Sequence, residues 1–184
     1  YIDKYIKKCY NTIMKRYGLH FDMVESGPQQ TQLASFMREH AATYDPIAHQ
    51  RWIDGTCMPA IVKDERRALA WWQNGQMVGN AVLKIDGPNV IEIKNFRVAQ
   101  KPGVEGRGLG HFMMQQVLYE APFLLGEKGR LDGSGLVVLK LDTTAKTPAQ
   151  GFFENEGFET VGVSPLYIPG RQEALMQRTL QLAA

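Results

Sequence analysis

A chain of 184 residues, 44% hydrophobic and 22% charged, has the size and composition of one globular domain with one sizeable core. Its net charge of +2 is too mild to imply a nucleic-acid binder and does not oppose an anionic ligand. No apolar run approaches the ~20 residues of a membrane span, no secretory leader is visible, and Cys9 and Cys57 stand outside any C-x-x-C pattern, so the reading is a soluble, cytoplasmic protein with reduced thiols and no membrane contact.

Residues 1–17 place Ile2, Tyr5, Ile6, Cys9, Tyr10, Ile13, Met14 and Tyr17 on one helical stripe, with Gly18 as the stop. The chain therefore divides into an amphipathic N-terminal helix, residues 1–18, and one domain, residues 19–184. Next come a short strand at 20–26, a break at Gly27 and Pro28, a helix at 29–42 with Leu33, Phe36 and Met37 inward, and a short helix at 46–54, the two helices forming a lid. The runs RRALAWWQ and QMVGNAVLKID flank Asn74-Gly75, a strong hairpin signal, and a third strand spans 90–99. Of the adjacent Trp71 and Trp72, alternation sends one to the core and the other away from it. A glycine-rich loop, PGVEGRGLG, opens a helix that Pro122 is expected to break. A second link, GEKGRLDGSG, leads to LVVLKLD, a buried strand whose order after strand and helix implies a parallel pair. A short helix at 148–156 and two final strands, FETVGV and EALMQRTLQL, complete the chain.

The first glycine loop carries the chemistry. Gly106, Gly108 and Gly110 leave backbone N–H groups bare at the start of a helix whose first amides lack partners, a place for an anionic group such as phosphate. A nucleotide-hydrolysing P-loop is excluded, because His111 and Phe112 follow Gly110 where Lys-Ser/Thr is needed. A dinucleotide fingerprint lacks its third glycine in both registers, where His111 or Met113 stands. His20, His40, His49 and His111 show no metal-ligand spacing, so no metal site is expected. Gly133-Ser134-Gly135 is not a nucleophile elbow.

Order of elements and motifs together resemble the GNAT superfamily of acyl-CoA-dependent N-acyltransferases. E-G-R-G-L-G at 105–110 is similar to that family's R/Q-x-x-G-x-G/A loop, with Glu105 where Arg or Gln is usual. A-Q-G-F-F-E-N-E-G-F at 149–158 is similar to its A-x-x-F-Y-x-x-x-G-F segment, with Phe153 in place of tyrosine. The resemblance implies an α/β fold with a mixed, mostly antiparallel sheet flanked by helices, whose fourth and fifth strands splay to admit pantetheine. It also implies acetyl-CoA as acyl donor and a primary amine as acceptor. Residues implied to hold the donor are Phe96, Arg97 and Val98, Glu105, Gly106, Arg107, Gly108, Leu109, Gly110 and His111, and Phe152 and Phe153.

By the same resemblance Glu92 is the candidate base, six residues before Val98. Alternation without a bulge would put Glu92, Lys94, Phe96 and Val98 on one face. A glutamate of ordinary pKa near 4.3 is a poor base for an ammonium, so burial or a water relay is required; the alternative is a solvated Glu92 paired with Lys94. Phe153 has no proton for a departing thiolate, and Tyr167, between the last two strands, is the candidate substitute. Two rival functions stay open: a non-catalytic acyl-CoA-binding module, and a toxin-like acetyltransferase of charged tRNA, the only case in which nucleic acid would be a partner. The acceptor, and the choice between monomer and homodimer, are not written in any motif.

Overall fold

The computed structural model describes residues 18–40, 45–99 and 108–182. The amphipathic run at 1–17 and the loop carrying Glu105, Gly106 and Arg107 lie outside the described residues. Strand β1 (Leu19–Met23) is followed by helix α1 (Gly27–Glu39). The expected break at Gly27 and Pro28 is instead the first turn of α1, because a proline there loses no helix hydrogen bond. Ser26 caps it: its hydroxyl accepts from Gln29 N–H (3.4 Å) and Ser26 N–H donates to Gln29 Oε1 (3.2 Å), a reciprocal capping box. Helix α2 (Pro46–Trp52) is capped by Asp45, which accepts from the Ile47 and Ala48 amides at 2.9 and 3.2 Å. It runs on through a π-helical turn (Ile53–Cys57) into α3 (Met58–Val62), an element that the sequence reading ended at 54.

Strands β2 (Arg66–Gln73) and β3 (Gln76–Gly87) form the expected hairpin, with Asn74 at φ 51° and Gly75 at φ 75° as a primed turn demands. Then follow β4 (Val90–Val98), α4 (Leu109–Glu127), β5 (Leu136–Thr144), α5 (Pro148–Asn155), β6 (Glu159–Ser164) and β7 (Glu173–Gln181). The seven strands form one sheet in the order β1-β2-β3-β4-β5-β7-β6, in which only β4 and β5 pair in parallel.

Helices cover both faces. Gly79, paired with Val98, faces α4 so closely that a Cβ there would stand 2.4 Å from Met113 Sδ, whereas Arg97, on the opposite face of β4, acts on His49 of α2. Hence both Trp71 and Trp72 are buried, contrary to the expectation of one inward and one outward ring: the two still alternate, the extra residue at this point being Val78 of β3, but cover on both faces gives each a core position. The core is built from β2–β5 together with Leu33 and Met37 of α1 and Met113, Met114, Val117 and Leu125 of α4.

Pro122 does not break α4 but sits inside it. It removes one backbone donor, yet Ala121, Leu124 and Leu125 are buried against the core and their packing carries the helix past that defect. Pro122→Ala is therefore expected to raise stability by about 1–2 kcal/mol, helix gain exceeding the lost rigidity of the unfolded chain; a thermal midpoint that falls would contradict this.

Candidate active site

Parallel pairing between β4 and β5 lasts for only three pairs, Val90↔Val138, Ile91↔Leu139 and Glu92↔Lys140. Beyond Glu92 the two strands part. β4 stays bonded to β3 as far as Val98, and β5 stays bonded to β7 as far as Thr144, so a wedge opens toward their carboxyl ends. Backbone groups that face the wedge are left for a ligand, which is where ligands bind in open α/β sheets.

On one side of the wedge stand α4 and α5. Gly108 precedes α4 in the left-handed region (φ 74°), and the helical ladder starts with Phe112 N–H donating to Gly108 O (2.9 Å). The amides of Leu109, Gly110 and His111 come ahead of that ladder and point out of the helix end. Gly110 is small because of packing: a Cβ there would meet the Phe152 ring at 3.2 Å and Val98 Cγ2 at 3.7 Å. Phe96 stacks on Phe152 (5.8 Å), and Phe153 meets Phe96 and Phe158 edge-on, each at 5.9 Å. Phe153 is thus a buried member of an aromatic wall, a place where a hydroxyl would need a partner. His111 does not extend freely toward the helix end: its Nδ1 lies 2.8 Å from Oε1 of buried Glu156, which also accepts from Gln115, tying α4 to the end of α5.

The opposite side of the wedge is polar. Val82 pairs with Asn95 and Leu83 with Ile93, so β4 carries an extra residue, Lys94, in a bulge. The single face expected for Glu92, Lys94, Phe96 and Val98 therefore does not form: the bulge leaves Phe96 and Val98 with Ile91 and Ile93 toward α4, and sends Glu92, Lys94, Asn95 and Arg97 to the other face. Asn95 there accepts from Asn80 Nδ2 at 2.8 Å. Glu92 Oε2 lies 3.3 Å from Lys84 Nζ, and its Oε1 pairs with Lys94 Nζ. Lys84 also holds Asp86 at 2.8 Å, which keeps the Asp86 carboxyl below its ordinary range.

Asp142 lies two residues beyond Lys140 on β5, on the same face and past the end of the β4 pairing. Tyr167, half exposed in the loop between β6 and β7, donates its hydroxyl to Asp142 Oδ1 at 2.9 Å. Glu173 of β7 is 1% exposed and bonded to Arg171 at 2.6 Å. Of the residues read from sequence, then, Phe96, Val98, Gly108, Leu109, Gly110, His111, Phe152 and Phe153 gather on the helical side, and Glu92, Arg97 and Tyr167 on the polar one. Asp142, Glu156 and Glu173 were missed. The signal for Asp142 was present in LVVLKLD, where Lys140 and Asp142 at alternate positions interrupt an otherwise apolar strand.

An open wedge between parallel strands, amides ahead of the ladder of the following helix and a motif-bearing helix after the next strand define an acyl-CoA acyltransferase architecture. Residues 29–158 match the Acetyltransferase (GNAT) family. The chain belongs to that family. Among solved structures it is similar to a GNAT-family protein from Desulfovibrio desulfuricans (TM-score 0.64, 16% identity, 90% of this chain and 99% of that one). It is also similar to the ribosomal-protein-S18-alanine N-acetyltransferase of Escherichia coli (0.62, 15%, 90% and 97%). A third is the PaiA N-acetyltransferase of Thermoplasma acidophilum in complex with coenzyme A (0.55, 16%, 88% and 99%). At these identities the likeness is one of fold. The curated proteins contain no significant match. No helix among the described residues is long and apolar enough to cross a membrane.

Proposed function

We propose that the protein transfers the acetyl group of acetyl-CoA to a primary amine and that it acts in the cytoplasm. The observation that carries this reading is the wedge beyond Glu92↔Lys140, with the amides that precede the α4 ladder on one side and titratable side chains on the other. Acetyl-CoA fits it chemically. The diphosphate takes the amides of residues 108–111 together with the loop that holds Glu105, Gly106 and Arg107. The pantetheine arm takes the backbone of Phe96, Arg97 and Val98 beside the ring of Phe152, with Phe153 supporting the wall. Glu105 brings a negative charge to that loop, which favours modest rather than tight donor affinity.

Glu92 and Tyr167 are the side chains we assign to proton transfer, Glu92 on the way out from the amine and Tyr167 toward the leaving thiolate. Both Glu92 oxygens face an ammonium, so it acts at one remove from the substrate. The test is thiol release from acetyl-CoA with a panel of amines: spermidine, tyramine, lysine methyl ester and a short peptide with a free N-terminus. Amine-dependent release supports the reading, and binding of acetyl-CoA with no release from any amine supports a binding module instead. Glu92→Gln is expected to lower kcat by roughly tenfold or more. Full rates in both Glu92→Gln and Tyr167→Phe at saturating amine would remove the two assignments.

A further inference from the structure

We infer that Asp142 is the carboxylate that touches the acceptor and takes its proton, with Tyr167 as its hydrogen-bonded partner. This rests on the acetyl-transfer reading above and deepens it. Asp142 stands where β5 has left β4, on the polar face of the wedge and opposite the side that receives the donor. Of the four carboxylates on that side, Glu92 is engaged by Lys84 and Lys94, Asp86 by Lys84 and Lys140, and Glu173 is enclosed and engaged by Arg171. Asp142 accepts from a neutral hydroxyl only, at 2.9 Å and on Oδ1, and no hydrogen bond or ion pair to its Oδ2 is seen among the described residues.

The electrostatics agree with that geometry. Burial pushes the Asp142 carboxyl up from its ordinary range; the Tyr167 hydroxyl and Lys94 pull it back, and Glu92 and Glu173 push it up. These are the charged and titratable groups facing it from β4, from β7 and from the loop before β7. A carboxylate raised toward neutrality is a better proton acceptor than one of ordinary pKa.

An ammonium N–H passes to Asp142 Oδ2, and the freed lone pair forms the C–N bond at the thioester carbonyl. As the C–S bond breaks, the second amine proton passes from nitrogen to the Tyr167 oxygen while the Tyr167 hydroxyl proton passes to the thiolate sulfur, the hydroxyl having been released from Asp142 once that carboxyl is itself protonated. Products are the amide and the free thiol, and Asp142 then returns its proton to water.

The experiment measures thiol release from acetyl-CoA, with the best amine of the panel, against pH, together with acetyl-CoA binding by calorimetry. It uses the whole chain as wild type, Asp142→Asn, Tyr167→Phe and the double variant. Asp142→Asn is expected to bind acetyl-CoA as the wild type does and to lose roughly a hundredfold or more in kcat/KM. Tyr167→Phe removes a bond that stabilises the carboxylate, so the acidic limb of its kcat/KM profile should move to higher pH; that limb should be absent when Asp142 is Asn. Stability supplies a separate readout. A carboxyl whose folded pKa is raised binds more protons folded than unfolded, so its contribution falls as pH rises from the unfolded value to the folded one and stays lost above it. Asp142→Asn should therefore melt no lower than the wild type near pH 7, whereas a residue needed only for structure would lower the midpoint. Asp142→Asn at the wild-type rate across pH overturns the inference and leaves the acetyl-transfer reading standing. A wild type that binds no acetyl-CoA, or releases no thiol with any amine, overturns both.

Discussion

Replacing Gly110 with valine is expected to weaken acetyl-CoA binding roughly ten- to a hundredfold, the equivalent of about 1–3 kcal/mol of overpacking. The second residue of α4 has no room for a side chain, because its Cβ would meet Phe152 at 3.2 Å and Val98 Cγ2 at 3.7 Å. A single methyl can be taken up by a few tenths of an ångström of ring movement, so Gly110→Ala should do much less. Valine's two γ-carbons cannot be taken up that way, and the start of α4 must lift from the aromatic wall. That lift moves the amides of Leu109, Gly110 and His111 away from the mouth of the wedge, while the rest of α4 stays anchored by Met113, Met114 and Val117. Titration calorimetry with acetyl-CoA reads the effect, and the thermal midpoint shows that the fold persists. Wild-type affinity in Gly110→Val would mean that the donor does not use this helix end.

Arg171→Met should destabilise the fold by about 3–5 kcal/mol, because it strands a buried carboxylate. Glu173 is 1% exposed and takes its bond from Arg171 Nε at 2.6 Å. Methionine replaces the bulk of the arginine stem but not its charge or donors. With about 2–4 °C per kcal/mol for a chain of this size, the midpoint should fall by roughly 6–20 °C. Glu173→Gln in the same background should recover part of the loss, since the stranded charge is then gone. An unchanged midpoint in Arg171→Met would show that Glu173 reaches water or another cation. The pair also bears on chemistry, because Glu173 is one of the charges that set the Asp142 carboxyl.

Much of the fold was legible because its signals are local. Asn74-Gly75 between two alternating runs marks a hairpin, and the order strand, glycine loop, helix, strand leaves one parallel pair to be made. The features that escaped are those decided by contacts distant in sequence. Pro122 looks like a terminator until the buried residues around it are known, and Gly27-Pro28 looks like a break until Ser26 is seen to cap the helix. The bulge at Lys94 matters most. A strict two-residue period put Glu92 beside Phe96, and one extra residue moved it to the opposite face, against two lysines. Tyr167 was readable as a candidate, but its partner Asp142 lies 25 positions away, and only the β5–β7 pairing with its loop brings them together. The substitution of Phe153 for tyrosine was plain in the sequence; its consequence, a ring closed in among Phe96, Phe152 and Phe158, was not.

A crystal structure of the protein grown with acetyl-CoA decides whether the wedge between β4 and β5 is the donor site. The diphosphate is expected against the amides at the start of α4 and the thioester between β4 and β5, its carbonyl facing the side where Asp142 and Tyr167 stand. The donor bound on another surface, with the wedge filled only by solvent, would contradict it.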